Sequence, residues 1–147
     1  MHSYKKGDVV LVSFPTLVDG VTQNKRRPGV IVSNDYNNAR LDDVLLIPLT
    51  SNPTRIIDDF CVCVAMNSEE GRGAGLRLDS VIDCTVIATI PKTLLVTKIG
   101  AFTEVTVGRI DGCIKRNITP CDDGEGTGVL RIPPRPDDDG TPRTQTI

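Results

Sequence analysis

The segment GDVVLVSFP, at residues 7–15, shows a strand-like pattern that recurs along this chain. Residues 8–14 are mostly β-branched and apolar and end at a proline, which is typical of a strand. A second such run, GVIVSN at residues 29–34, predicts a second strand. The polar residues between the two runs, up to Arg27, contain Asp19-Gly20 and are predicted to form a long loop.

Similar runs recur about every ten residues and predict three more strands and a short sixth element. These lie at residues 44–49, 60–66, 80–90 and 98–102. Pro48 cannot donate a ladder hydrogen bond, so that end of the third strand is expected at an edge or a bulge. The glycine-rich residues 71–75 are expected to be a flexible connection.

One segment has helical periodicity. Val107, Ile110 and Ile114 recur at intervals of three and four residues, and Thr103 is placed to cap the helix N-terminus. A shorter helix is predicted at residues 35–40, with Asn34 as its cap. Strands followed by one terminal helix predict a mainly β (α+β) fold. We expect a small, mostly antiparallel barrel or strongly bent sheet, with the helix closing one side.

The chain divides into a body and a tail. Residues 1–119 hold 14 Lys and Arg against 13 Asp and Glu, and residues 120–147 hold 3 against 6. The body is predicted to be one domain. The acidic tail is rich in proline and glycine and is predicted to be disordered, unless VLRI at residues 129–132 pairs with a sheet edge or a partner. With no apolar run of about 18 residues and no signal-peptide core, we predict a cytoplasmic protein without a membrane partner.

Charge and composition narrow the possible contacts with nucleic acid. A near-neutral body excludes bulk polyanion binding, so any contact must be local. The candidate is the cluster Lys25-Arg26-Arg27, for which the alternative is a solvated turn. Aromatic residues make up 3% of the chain and tryptophan is absent. This argues against modules that stack bases on aromatic rings.

The sequence lacks the side chains that most enzyme mechanisms require. The one histidine, His2, lies at the terminus and supplies no dependable general base. Five cysteines without paired metal-ligand spacing predict reduced structural thiols, and we expect no metal and no cofactor. The remaining arginines and hydroxyls suit metal-free RNA cleavage. In that reaction the substrate's own 2′-hydroxyl attacks the phosphorus, and a guanidinium stabilises the charged intermediate.

An ordered set of motifs also resembles a known family, the MazF/PemK toxins, over roughly residues 6–118. The resemblance implies an SH3-like barrel with a C-terminal helix, a homodimer, and metal-independent endoribonuclease activity on single-stranded RNA. It also implies a small antitoxin protein that covers the RNA groove. The motifs that carry it are GDVVLVSFP (7–15), RRPGVIVSN (26–34), VLLIPLTSN (44–52), GLRLDSVIDC (75–84), ATIPK (88–92) and KIGAFTEV (98–105).

The resemblance assigns roles to individual residues. The catalytic arginine of the family's R-P motif corresponds to Arg27, and its catalytic threonine at the end of the third strand corresponds to Thr50. Their structural alternatives are a surface turn cation and a strand-end cap. Ser51 is expected to help through hydrogen bonding, and Lys25 and Arg26 to extend the phosphate path. The predicted loop at residues 16–24 would gate the groove.

The chain departs from the better-known members in its fifth strand. Where several of them carry an acid, a glutamine and then R-T-I, this chain has TVIATI at residues 85–90. Asp83 is expected either to bring a carboxylate to the RNA groove or to pair with a surface cation. The departure keeps open a non-catalytic module, namely a topoisomerase poison or an inactive antitoxin-binding member. An SH3-like adaptor for proline-rich peptides has few aromatic residues to work with.

Overall fold

The computed structural model describes residues 3–53 and 59–120. In these residues, seven strands and three helices follow one another along the chain. The strands are β1 (Asp8–Val18), β2 (Val21–Ile31), β3 (Asp43–Thr50), β4 (Cys61–Val64), β5 (Ser80–Asp83), β6 (Ala88–Pro91) and β7 (Leu95–Ala101). The helices are α1 (Asp35–Arg40), α2 (Glu69–Gly73) and α3 (Glu104–Ile118), with a 3-10 turn at Lys92–Leu94.

The strands form one curled antiparallel sheet in the order β4-β5-β3-β2-β1-β7, and β6 also pairs with β3. The predicted mainly β class, with a helix after the last strand, is confirmed. β3 pairs with β6 along residues 43–46 and with β5 at residues 49–50. β3 is therefore not an edge strand. Pro48 falls where β3 changes partner, and no ladder bond on that side needs its missing N–H.

The central strands bury both faces, which explains their continuous apolar runs. Val9, Val30 and Ile47 belong to a core cluster that includes Ile110 and Cys113 of α3. Their chain neighbours belong to a second cluster on the other side of the sheet. That cluster comprises Val10, Val12, Ile31, Val44, Leu46, Ile90 and Leu95. Neighbouring residues separate in this way because side chains alternate across a strand.

The predicted long loop after the first strand is wrong. β1 and β2 continue as one hairpin, paired from Val9 with Val30 to Val18 with Val21. Asp19 (φ 51°) and Gly20 (φ 78°) both have positive φ, which matches the right-handed twist of a two-residue hairpin. Residues 16–24 are therefore the outer part of this ladder. This part of the hairpin is largely exposed although its backbone is paired, and its apolar residues Leu17, Val18 and Val21 are exposed as well.

The predicted strand at residues 80–90 is two strands, β5 and β6. The Asp83 carboxylate accepts hydrogen bonds from the backbone N–H of Thr85 (3.0 Å) and from its hydroxyl (2.6 Å). The N–H of Val86 then donates to the carbonyl of Asp83. An Asp side chain that binds the backbone two residues later favours a turn over a continuing strand.

The helix predictions are confirmed at two positions, and the sequence missed a third helix. α1 is capped by Asn34, whose side chain accepts from the N–H of Asn37 (2.9 Å), and α3 contains Val107, Ile110 and Ile114 as predicted. The predicted flexible connection at 71–75 is largely α2, capped by Ser68. Thr103 does not cap α3 with its own side chain. Instead its N–H and hydroxyl donate to the Glu70 carboxylate (2.7 and 3.0 Å).

Candidate functional site

A cleft of about 780 Å³ opens between β2, the end of β3 and the segment that leads into β5. Three of the side chains that line it are cationic, and two are hydroxyls at the end of β3. The described lining residues include no acidic side chain. They are Leu11, Lys25, Arg27, Pro28, Leu49, Thr50, Ser51, Gly75, Leu76, Arg77, Leu78, Ser80 and Ile99.

Arg27 and Thr50 meet at this cleft because of the strand register. β2 and β3 pair at Gly29 with Pro48 and at Ile31 with Leu46. Continuing this antiparallel register by two residues sets Arg27 opposite Thr50, on the same face of the sheet. Both residues line the cleft. The structure thus brings together the two residues predicted to be catalytic.

The neighbouring polar groups complete one wall of the cleft. Lys25 lies two residues before Arg27, so both side chains leave β2 on the same face. The Thr50 hydroxyl accepts a hydrogen bond from the backbone N–H of Asn52 (3.1 Å). This bond uses an oxygen lone pair and leaves the hydroxyl proton for a ligand. Ser51, the first residue after β3, also lines the cleft and is exposed.

Two predicted site residues lie away from the cleft. Arg26 pairs with Ser13 in the hairpin ladder, and its side chain leaves β2 on the face opposite to Arg27. Asp83 is 5% exposed and accepts the two hydrogen bonds from Thr85. Asp83 is not among the described residues that line the cleft, and no ion pair joins it to a cation within residues 3–53 and 59–120. β5 ends at Asp83, so Thr85 is not part of the same strand.

Sequence reasoning gave no role to Arg77, the third cation of the cleft. It lies in GLRLDS, the motif before β5, where no periodic pattern marks a side chain as facing a cavity. Its position depends on close backbone contacts between this segment and β7. Gly75 has φ of +72°, and a Cβ there would collide with the backbone carbonyl of Ile99. A Cβ at Gly100 would likewise collide with the backbone of residues 73–74.

The four thiols of the described part of the chain form no disulfide. Cys84 and Cys113 are buried, Cys61 is half-buried and Cys63 is exposed. Burial, reinforced by the nearby thiol of Cys113, raises the pKa of Cys84 from 9.0 to about 12. Cys84 is therefore a neutral, unreactive thiol at ordinary pH. Cys121, His2 and nearly all of the predicted tail lie outside the described residues.

Two features are absent from the described residues. No three His, Cys, Asp or Glu side chains are grouped closely enough to hold a metal ion. None of the helices between residues 3 and 120, leaving out the undescribed segment 54–58, has the length and apolar character needed to span a bilayer.

The chain belongs to the family of PemK-like and MazF-like toxins of type II toxin–antitoxin systems, whose family model matches residues 5–118. This match covers the whole curled sheet and α3. No curated protein sequence matches the chain significantly.

Solved structures share the fold. One is an endoribonuclease from a mycobacterial species in complex with its cognate antitoxin (TM-score 0.55, 25% identity, 80% of this chain and 94% of that chain). Another is the toxin MazF-mt6 of Mycobacterium tuberculosis (0.57, 21%, 75% and 94%). A third is MazE–MazF from Deinococcus radiodurans (0.61, 16%, 79% and 96%).

Proposed function

We propose that this protein is a toxin-type endoribonuclease that cuts single-stranded RNA without a metal ion. The observation that carries the proposal is the placement of Arg27 and Thr50 in one cleft. Family membership and the mycobacterial neighbour named as an endoribonuclease support it. In the reaction the 2′-hydroxyl oxygen bonds to the adjacent phosphorus and the bond from phosphorus to the 5′-oxygen breaks. The products are a 2′,3′-cyclic phosphate and a 5′-hydroxyl.

Three polar side chains of the cleft have a part in this reaction. Arg27 presents paired N–H donors to the phosphate oxygens and stabilises the negative charge that builds up on them. Because a guanidinium offers N–H donors and no acceptor atom, Arg27 acts as a donor and not as the general base. Thr50 donates its hydroxyl proton in a hydrogen bond to the same phosphate, with Ser51 beside it. The 2′-hydroxyl proton passes to water and the departing 5′-oxygen takes a proton from water, since no carboxylate or imidazole is among the described lining residues.

The charge of the cleft favours RNA over an apolar or cationic ligand. Lys25, Arg27 and Arg77 concentrate positive charge on one surface of a nearly neutral body. Such a local cluster binds a few consecutive phosphates without binding polyanions in bulk. The leucines that share the cleft offer aliphatic surface to unstacked bases, which only a single strand can present.

We extend the proposal to partners and location. The protein acts in the cytoplasm as a homodimer, and a small cognate antitoxin covers the cleft. The mycobacterial endoribonuclease bound to its cognate antitoxin and the MazE–MazF structure support the antitoxin. A segment that competes with RNA for three cations must itself carry negative charge.

The test is cleavage of a long unstructured RNA in the presence of EDTA, with the new ends mapped chemically. We expect 5′-hydroxyl ends and 2′,3′-cyclic or 3′-phosphate ends. Arg27→Ala should lower the rate by about 10²-fold or more, as removal of a transition-state donor does. Arg109→Ala, on the exposed surface of α3 and outside the cleft, is the matched control and should cut like the wild type. Uncut RNA with the wild type, or equal cutting by Arg27→Ala, contradicts the proposal.

A second candidate function is a toxin-like module that binds without catalysis, as a topoisomerase poison or an inactive antitoxin-binding member. The observation that favours it is the lack of an acidic side chain among the described lining residues. Intact RNA together with inhibited DNA supercoiling would select the poison. Intact RNA and unaffected supercoiling, with retained antitoxin binding, would select the inactive member.

A further inference from the structure

The segment that leads into β5 carries a cation and an exposed leucine that take no part in the proposed cleavage step. These are Arg77 and Leu78, and Leu78 is 61% exposed. The residue before them, Leu76, is buried in the core cluster shared with α3 and anchors the segment. Both side chains therefore project from a three-residue segment whose first member is fixed by packing.

The backbone at both ends of this segment is held in place. On one side, Gly75 adopts positive φ and lies against the backbone of Ile99. On the other, the Asp79 carboxylate accepts from the N–H of Met66 (2.9 Å) and the Ser80 hydroxyl donates to the carbonyl of Leu78 (3.0 Å). A segment fixed in this way presents its side chains with little loss of conformational freedom on binding.

The guanidinium of Arg77 is available to a ligand. Arg40, Arg72 and Arg116 each donate a hydrogen bond to another residue of the protein. Within residues 3–53 and 59–120, Arg77 makes no hydrogen bond or ion pair, and neither does Arg27. The cleft thus holds two unpaired guanidinium groups on different elements. Phosphates bind such planar groups through paired N–H donors.

We propose that Arg77 and Leu78 form a second nucleotide subsite, which rests on the proposed endoribonuclease function of the same cleft. Arg77 binds the phosphate next to the scissile one in the chain, and Leu78 packs against the base of that nucleotide. Arg27 and Thr50, on β2 and β3, hold the scissile phosphate. The subsite therefore accounts for binding of more than one nucleotide, while the chemistry stays with Arg27 and Thr50.

The first test measures binding of a fluorescent 2′-O-methyl RNA, which lacks the attacking hydroxyl and cannot be cut. Affinity is measured for the wild type, Arg77→Ala, Leu78→Ala and the control Arg109→Ala over a range of salt concentrations. Arg77→Ala loses one phosphate contact. The magnitude of its slope of log affinity against log salt should therefore be smaller by about 0.7. Leu78→Ala should weaken binding about threefold and leave the slope unchanged. Arg109→Ala should match the wild type.

The second test assigns the phosphate. Single phosphates of the same oligonucleotide are replaced in turn by uncharged methylphosphonates. At one position beside the scissile phosphate, the replacement should weaken wild-type binding about tenfold and should not weaken Arg77→Ala further. Circular dichroism and thermal unfolding show whether each variant is folded, and Arg77→Lys keeps the charge if Arg77→Ala does not fold.

The outcomes separate this proposal from the function on which it rests. A wild type that cuts RNA while Arg77→Ala retains its slope and affinity overturns the subsite and leaves the nuclease standing. Sensitivity of Arg77→Ala to every replacement except that of the scissile phosphate assigns Arg77 to the reaction centre, which also overturns the subsite. A wild type that neither binds nor cuts single-stranded RNA overturns both.

Discussion

Arg27 of β2 lies opposite Thr50 of β3 when the antiparallel register of these strands is continued two residues beyond the pair of Gly29 and Pro48. Both residues line the cleft, although neither is part of the paired ladder between these strands. The ladder between β2 and β3 ends before it reaches Arg27 and Thr50. A rigid sheet therefore sets the distance between a guanidinium and a hydroxyl that are 23 positions apart in the chain.

The role of Thr50 can be tested by removing only its hydroxyl. Thr50→Val keeps the shape of the side chain and should lower the cleavage rate about 10²-fold, since a hydrogen bond to the charged transition state is lost. Thr50→Ser keeps the hydroxyl and should retain most of the activity. Initial rates on a defined RNA measure the effect. The control is Thr89→Val, at an exposed residue of β6 outside the cleft. Similar rates for Thr50→Val and Thr89→Val would remove Thr50 from the mechanism.

Asp83 provides a prediction that separates structure from catalysis. Asp83→Ala removes a buried carboxylate that accepts two hydrogen bonds from Thr85, so it should lower the free energy of unfolding by about 1–3 kcal/mol. Because Asp83 does not line the cleft, the cleavage rate per folded molecule should stay close to that of the wild type. Urea unfolding and activity at low temperature measure the two effects. Asp43→Ala, at an exposed position of β3, is the stability control. A large loss of rate at unchanged stability would instead support a carboxylate acting at the groove.

Two glycines should respond to alanine in opposite directions. At Gly75 the positive φ and the contact with the Ile99 backbone leave no room for a Cβ, so Gly75→Ala should destabilise the fold by about 1–3 kcal/mol. At Gly108 in α3, a Cβ meets nothing within 4 Å. Gly108→Ala should therefore stabilise the protein by about 0.5–1 kcal/mol through helix propensity. Thermal unfolding of both variants measures this, and a stabilised Gly75→Ala would contradict the close approach.

The raised pKa of Cys84 predicts an alkaline loss of stability. In the unfolded chain the thiol ionises near pH 9.0, whereas in the folded protein it stays protonated to about pH 12. The unfolded state therefore holds fewer protons between these values, and stability falls as pH rises through this window. Below pH 9 the thiol contributes no pH dependence.

Unfolding measured in urea from pH 8 to 11 tests this for the wild type and Cys84→Ala. The variant loses some packing at every pH but should show a shallower alkaline decline, because its position no longer titrates. Equal slopes for the two proteins would show that Cys84 does not cause the decline. In the native wild type, a thiol reagent at pH 8 should label exposed Cys63 and leave Cys84 unmodified.

The sequence by itself determined the features that depend on local patterns. Apolar runs located the strands, and spacing at three and four residues located α3, because side-chain periodicity follows directly from backbone geometry. The Asn34 cap of α1 was also predictable, because a capping side chain bonds a backbone N–H only a few residues away. Arg27 and Thr50 were reached through the resemblance, and each lies next to an apolar run that predicted a strand.

The tertiary structure decided what depends on contacts between distant residues. The outer half of the β1–β2 hairpin is stabilised by its ladder and turn, and its few apolar residues are exposed, so no alternating apolar pattern marks its strands. The division of residues 80–90 follows from the Asp83 turn and from the two separate partners of β3. Arg77 reaches the cleft because Gly75 lies against Ile99, 24 positions later. No local periodicity predicts such a contact, because the two residues come together only once the sheet has curled.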